Sequence, residues 1–329
     1  MKLVTFKVGG EQRPGVLAGD DFDTVVDVAA AVEWLGRPAL RSILAIVEAG
    51  EAGLASVREV LAAHAEKKLP AAAGGRPTTL PLASVSLLAP IPRPPSMRDG
   101  YAFRQHVETA RRNRGLEMIP EFDQFPVFYF TNHQAVIGPG PLRVRSKHLD
   151  RLDFELEAAI VVGREARDLD AKDADAVIFG MTIMNDFSAR ALQMDEMKLS
   201  LGPAKGKDFA TGLGPWLVTM DELSAATNAS PNGSHFDLGM RAFVNGVQVS
   251  QGNVKDMTWT FAQILERASY GVSLYPGDVI GSGTCGTGCF LELNGSKITN
   301  DQWLAPGDVV ALEIDRLGRL ENTVVADGS

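Results

Sequence analysis

Short apolar runs broken by turn residues open the chain. Residues 3–8, 16–18 and 24–28 read as strands, separated by Gly9-Gly10 and Gly19-Asp20-Asp21. The period then changes: Leu40, Ile43, Leu44 and Val47 recur at helical spacing before Gly50, and Leu54, Val57 and Leu61 do so before Pro70. From 69 to 98 proline and glycine dominate, which predicts a linker between a small N-terminal α+β domain, 1–87, and a larger domain, 88–329. Beyond it, strand patterns lie at 127–131, 154–163, 177–184, 216–218, 238–244, 279–281, 290–293, 309–314 and 320–325. Helices are predicted at 103–113, 171–175, 189–198 and 257–270. Strands follow one another without regular intervening helices, so a β-rich α+β body is expected rather than a doubly wound parallel sheet.

Composition adds mainly exclusions. With 329 residues, 45% hydrophobic and 22% charged, the chain has globular proportions. Its 41 acidic against 32 basic residues give a net charge of −9, which argues against a nonspecific grip on nucleic acid or on an anionic membrane. The longest apolar run, 176–184, is far too short to span a bilayer. The first residues lack the apolar core of a signal peptide, and two cysteines cannot build a disulfide framework, so a cytoplasmic protein is expected.

Two glycine patterns are set aside. Gly281, Gly283 and Gly286 have the spacing of a dinucleotide fingerprint, but the segment 290–293 after them reads as strand rather than helix. Gly202-Pro203-Ala204-Lys205-Gly206-Lys207 is one residue short of a phosphate loop, and Asp208 stands where a hydroxyl should hold magnesium. Cys285 and Cys289 have no further cysteine partners for a zinc site.

The acidic residues are more informative. Glu155 and Glu157 lie two apart in a strand pattern and so project from one face. Adjacent carboxylates repel, so that face is either solvated or holds a cation, and the apolar continuation 158–162 speaks against solvation. Asp186 and Asp99 each stand at an apolar boundary, where a helix cap is the ordinary role. Four carboxylates together would suit a hard divalent cation, magnesium or calcium, better than zinc.

Asp99 with His106, Glu155-Leu156-Glu157, and Met184-Asn185-Asp186-Phe187-Ser188-Ala189-Arg190 resemble, in order, the metal and catalytic motifs of the fumarylacetoacetate hydrolase (fumarylacetoacetase) superfamily. Leu201-Gly202-Pro203, Gly206-Lys207-Asp208-Phe209, Gly214-Pro215-Trp216, Pro276-Gly277-Asp278-Val279-Ile280 and Ser282-Gly283-Thr284 extend the resemblance over roughly residues 88–329. It implies a mixed β-sandwich or roll of the fumarylacetoacetase C-terminal type, a small diketo acid as substrate, and a homodimer.

Residue by residue, the resemblance makes Asp99, Glu155, Glu157 and Asp186 ligands of a divalent cation, magnesium first, with calcium or manganese as alternatives. His106 corresponds to the general base and Glu292 to the carboxylate that orients it. Arg190, Gln193 and Lys207 match positions that stabilise the oxyanion and the departing enolate. Tyr101, Tyr129 and Thr284 match positions that hold the substrate's carboxylate or carbonyl groups. His133, His148 and His235 match nothing catalytic. The implied activity is hydrolysis of a carbon–carbon bond in a β-diketo acid, fumarylacetoacetate or an acylpyruvate. The alternative keeps the metal site but decarboxylates, hydrates or isomerises a 2-keto acid such as oxaloacetate.

Overall fold

The computed structural model describes residues 1–327, so the last two residues of the 88–329 segment lie outside the description. Two β-sheets organise the chain. The larger has the main path Thr79–Pro81, Thr24–Asp27, Glu11–Ala18, Lys2–Val8, Thr211–Thr219, Ile178–Asp186, Leu156–Val162, Val279–Gly281, Met97–Gly100 and Phe128–Phe130. The smaller runs Gly140–Val144, Gly318–Ala326, Val309–Ile314, Gly239–Val244 and Val247–Asn253. The N-terminal strands thus continue the large sheet, Leu3 pairing with Leu217, and the proline-rich stretch supplies Thr79–Pro81 to its edge.

Side-chain alternation explains how the sheets pack. In Leu156–Val162 every residue is buried. Leu156, Ala158, Ile160 and Val162 enter the core shared with Met240, Ala242 and Leu312 of the smaller sheet and Phe261, Ile264 and Leu265 of the helix Phe261–Ser269. Ala159 and Val161 face the other way, toward Ile43, Ile46, Val57 and Val60 of the N-terminal helices. A strand covered on both faces reads as a continuous apolar run, whereas Gly239–Val244, covered on one, alternates buried and half-buried residues. The fold is the sheet-rich α+β class expected.

Several elements differ from the sequence reading. Residues 290–293 form no strand; Phe290–Gly295 is a helix. Its first N–H groups, those of Phe290 and Leu291, donate to the Asp153 carboxylate at 2.8 and 3.0 Å, a cap 137 residues distant in sequence that local pattern cannot reveal. The strand expected at 24–28 stops at Asp27, which accepts from Ala30 N–H as the N-cap of a short helix, Val28–Trp34. The helix expected at 257–270 starts later, at Phe261, because Thr260 and Gln263 form a capping box there. No helix among the described residues is long and apolar enough to cross a membrane.

Candidate active site

Asp99 and Asp186 cap no helix. Asp99 lies in the strand Met97–Gly100, and Asp186 ends the strand Ile178–Asp186. Glu157 is the second residue of Leu156–Val162, while Glu155 precedes that strand, its N–H donating to Asn185 Oδ1 at 3.0 Å. The two glutamates therefore converge without sharing one regular strand. A carboxylate oxygen of Asp99, Glu155, Glu157 and Asp186 can each lie within 4.8 Å of the others, and all four residues are buried.

What lets them meet is a missing side chain. Gly281 belongs to the strand between those of Asp99 and Glu157 and is level with Asp99 in the parallel pairing. A Cβ there would stand 2.5 Å from Asp99 Oδ1, 2.8 Å from Met184 Sδ and 3.0 Å from Glu157 Oε2. The glycine that mimicked a dinucleotide fingerprint thus makes room for the acidic cluster. The helix that follows leads into the smaller sheet at Val309–Ile314, and no parallel βαβ unit forms. Gly281→Ala is expected to weaken magnesium binding at least tenfold and to cost about 1–3 kcal/mol of stability through overpacking, read by titration calorimetry and thermal melting. Unchanged metal affinity would contradict this role for Gly281.

Two cations face the cluster. Lys207 Nζ donates to Glu155 Oε2 at 2.5 Å and Asp186 Oδ2 at 2.7 Å. Arg190 donates from Nη2 to Glu155 Oε1 at 2.7 Å, from Nε to Asp153 Oδ2 at 2.8 Å and from Nη1 to Gln193 Oε1 at 3.0 Å. Asp153, which the sequence reading passed over, therefore anchors Arg190 and caps the helix that carries Glu292. Its signal was visible as the first member of the alternating acids Asp153, Glu155 and Glu157.

These contacts divide the charges. Burial pushes the Glu155 carboxyl up, but Lys207 and Arg190 outweigh it and hold it down at about 2. Burial and the neighbouring Asp186 carboxylate push Asp99 up to about 8. Burial, then Asp99, drive Glu157 well above the usual carboxylate range, and burial raises Asp186 despite Lys207. Glu157 Oε2 and Asp186 Oδ1 are buried with no hydrogen-bond partner. Orphaned carboxylate oxygens amid mutually repelling acids are what a hard divalent cation would satisfy, so the donor set fits one.

Beside the cluster, the helix Arg104–Arg112 presents His106, whose Nδ1 lies 2.7 Å from Glu292 Oε2, both side chains buried. Tyr101 meets the imidazole edge to face at 5.8 Å. Tyr129 Oη donates to Asp186 Oδ2, and Thr284 Oγ1 lies 3.4 Å from Glu157 Oε1. One cavity is lined by Asp99, Glu155 and Glu157 together with His106, Glu292, Arg190, Gln193, Lys207, Tyr101, Tyr129 and Thr284. Asp186 lies behind it, bonded to Tyr129 and Lys207. The structure thus gathers every site residue named from the sequence. His148 stacks on Phe209 and His235 contacts the Lys255 carbonyl, and neither they nor His133 line the cavity.

Known proteins resemble this chain in sequence and in fold. A family model, fumarylacetoacetate (FAA) hydrolase C-terminal, matches residues 96–325. A fumarylacetoacetase of Oryza sativa subsp. japonica is 33% identical over 243 residues, 59% of this chain; the match spans 56% of that protein's length. An oxaloacetate tautomerase of Rattus norvegicus, described as mitochondrial, is 30% identical over 331 residues, covering 99% of this chain and 92% of its own. The solved fumarylacetoacetate hydrolase of psychrophilic Exiguobacterium antarcticum superposes with a TM-score of 0.70 at 26% identity, covering 99% of this chain and all of that one. The chain belongs to the fumarylacetoacetate hydrolase family.

Proposed function

We propose that this protein is a divalent-metal-dependent hydrolase that cleaves a carbon–carbon bond in a β-diketo acid, fumarylacetoacetate or an acylpyruvate, working as a homodimer. The observation that carries the proposal is the buried His106–Glu292 pair, 2.7 Å apart, opening into the same cavity as the acidic cluster. Hydrolysis needs a base for water; a metal site alone does not require one.

Asp99, Glu155, Glu157 and Asp186 would hold the cation, with magnesium as the proposed ion. When bound, it supplies positive charge to the paired oxygens of the keto acid. Glu292 occupies His106 Nδ1, which fixes the tautomer and leaves Nε2 to take a proton from water. The resulting hydroxide adds to the distal carbonyl, and the carbon–carbon bond breaks to give a carboxylic acid and an enolate. The enolate carbon then takes a proton back, so the reaction consumes one water and yields two acids. Lys207 and Arg190, held beside the cluster by carboxylates, are oriented before charge develops, and Gln193 steadies Arg190. Tyr101, Tyr129 and Thr284 line the space where the substrate's oxygens would lie.

A second reading, tautomerisation or decarboxylation of oxaloacetate on the same metal site, draws support from the rat oxaloacetate tautomerase, whose similarity spans 99% of this chain. Ultraviolet-monitored turnover of fumarylacetoacetate, acetylpyruvate, fumarylpyruvate and oxaloacetate, with magnesium and with a chelator, separates the two. Metal-dependent loss of a diketo-acid chromophore with release of two acids is the expected result. Enol–keto interconversion of oxaloacetate, or pyruvate from oxaloacetate alone, would overturn the hydrolase reading.

A further inference from the structure

The cavity measures about 570 Å³, within the range of about 300–1,000 Å³ that accommodates drug-sized ligands, and far exceeds what a pyruvate unit fills. Its two ends differ. The inner end holds the carboxylates with Lys207 and Arg190, whereas Ala110, Val127, Met194, Met197, Leu291 and Trp303 form an apolar wall over much of the remainder, beside Asn113, Arg114 and Asn294. Val127 and Met197 are each 44% exposed, which places this apolar stretch toward the mouth.

The apolar wall is built on the same helices as the chemistry. Ala110 stands four residues after His106, Met194 four after Arg190, and Leu291 directly before Glu292. Residues four apart share a helix face, so Arg104–Arg112 and Arg190–Met197 each offer a reactive side chain inward and an apolar one beside it, while in Phe290–Gly295 both Leu291 and its chain neighbour Glu292 reach the cavity. Charge points the same way. Of the three Arg and Lys side chains that line the cavity, Arg190 and Lys207 are already paired with carboxylates. The third, Arg114, is exposed, and its Nε donates to the Ala110 carbonyl. Among the described lining residues, that solvent-screened guanidinium is the only Arg or Lys charge not already paired with a carboxylate, and the nearby amides are engaged, Asn113 Nδ2 donating to the Glu292 carbonyl and Asn294 Nδ2 to the Gln302 carbonyl.

We propose that the cavity selects a monocarboxylic acylpyruvate whose acyl group is a sizeable apolar chain or ring, in preference to a fumaryl- or maleyl-type dicarboxylate. The proposal rests on the keto-acid reading of the inner site. The keto-acid head occupies the acidic end, and the acyl tail lies against Met194, Leu291 and Trp303, where unbranched methionine side chains adapt to its shape.

Non-cleavable 2-oxo acids test this apart from catalysis. With magnesium present, calorimetric titration of the wild-type protein should show affinity rising about fourfold per buried methylene, so that 2-oxooctanoate binds at least tenfold more tightly than pyruvate. The dicarboxylate 2-oxoadipate should bind less tightly than 2-oxohexanoate, its equal in chain length. Met194→Lys should erase the advantage of the long chain and improve binding of 2-oxoadipate. Equal affinities along the series, or tightest binding of the dicarboxylate, would overturn the proposal even if acylpyruvates are hydrolysed. Chain-dependent binding without any diketo-acid cleavage would instead remove the hydrolase reading and leave the apolar chamber standing. Failure of every 2-oxo acid to bind would remove both.

Discussion

His106→Ala is expected to lower kcat for diketo-acid hydrolysis by about 10²–10⁴, the usual contribution of a positioned general base. The same protein should still take up magnesium, because His106 is not among the four clustered carboxylates. Alanine suits the helix Arg104–Arg112, but the substitution leaves Glu292 buried without its imidazole partner, so thermal melting must accompany the kinetics. Glu292→Gln is expected to lower kcat as well. An amide can turn its N–H toward Nδ1 and leave the proton on Nε2, the tautomer that cannot accept one from water. Full hydrolytic activity in His106→Ala, with the fold intact, would sink the assignment of the pair as the base that activates water.

Magnesium should raise the melting temperature, and more so as pH rises. Asp99 has its carboxyl pushed up to about 8 by burial and by Asp186, and Glu157 and Asp186 are raised too, so the metal-free fold holds protons that the unfolded chain has released. A carboxylate raised in this way contributes stability that is fully present below its unfolded pKa and is lost as pH climbs through the folded value. Metal-free protein should therefore lose stability between about pH 4 and about pH 8. Glu155, held at about 2, acts in the opposite sense, but its window lies lower. A bound cation favours the ionised forms and removes the repulsion, so its stabilisation grows across the same interval. At a concentration of a hundred times Kd it contributes about 2.7 kcal/mol, a shift of roughly 4 °C for a chain of this size. Melting with magnesium and with chelator at several pH values measures it. A magnesium shift that is absent, or that shrinks as pH rises, would contradict the cluster as a cation site.

The alternation of strand residues and the ordered motifs made both the sheet-rich architecture and the acidic cluster legible in the chain. Local pattern failed where distant groups decide. Phe290-Leu291-Glu292-Leu293 has strand composition, yet Asp153 receives the first N–H groups of this segment and turns it into the helix that carries Glu292. Gly281 invited a nucleotide reading because its spacing is visible and the carboxylates on either side of it are not.

By itself the sequence determined which residue types could do chemistry here and which strands could be buried, because side-chain identity and hydrophobic period are written locally. Tertiary structure alone decided that Asp99, Glu155, Glu157 and Asp186 share one point and that His106 meets Glu292 across 186 residues. It also decided that the apolar faces of three helices close the same cavity. The reason is physical: convergence depends on sheet register, and only when separated strands pair does the side chain absent at Gly281 leave room between Asp99 and Glu157.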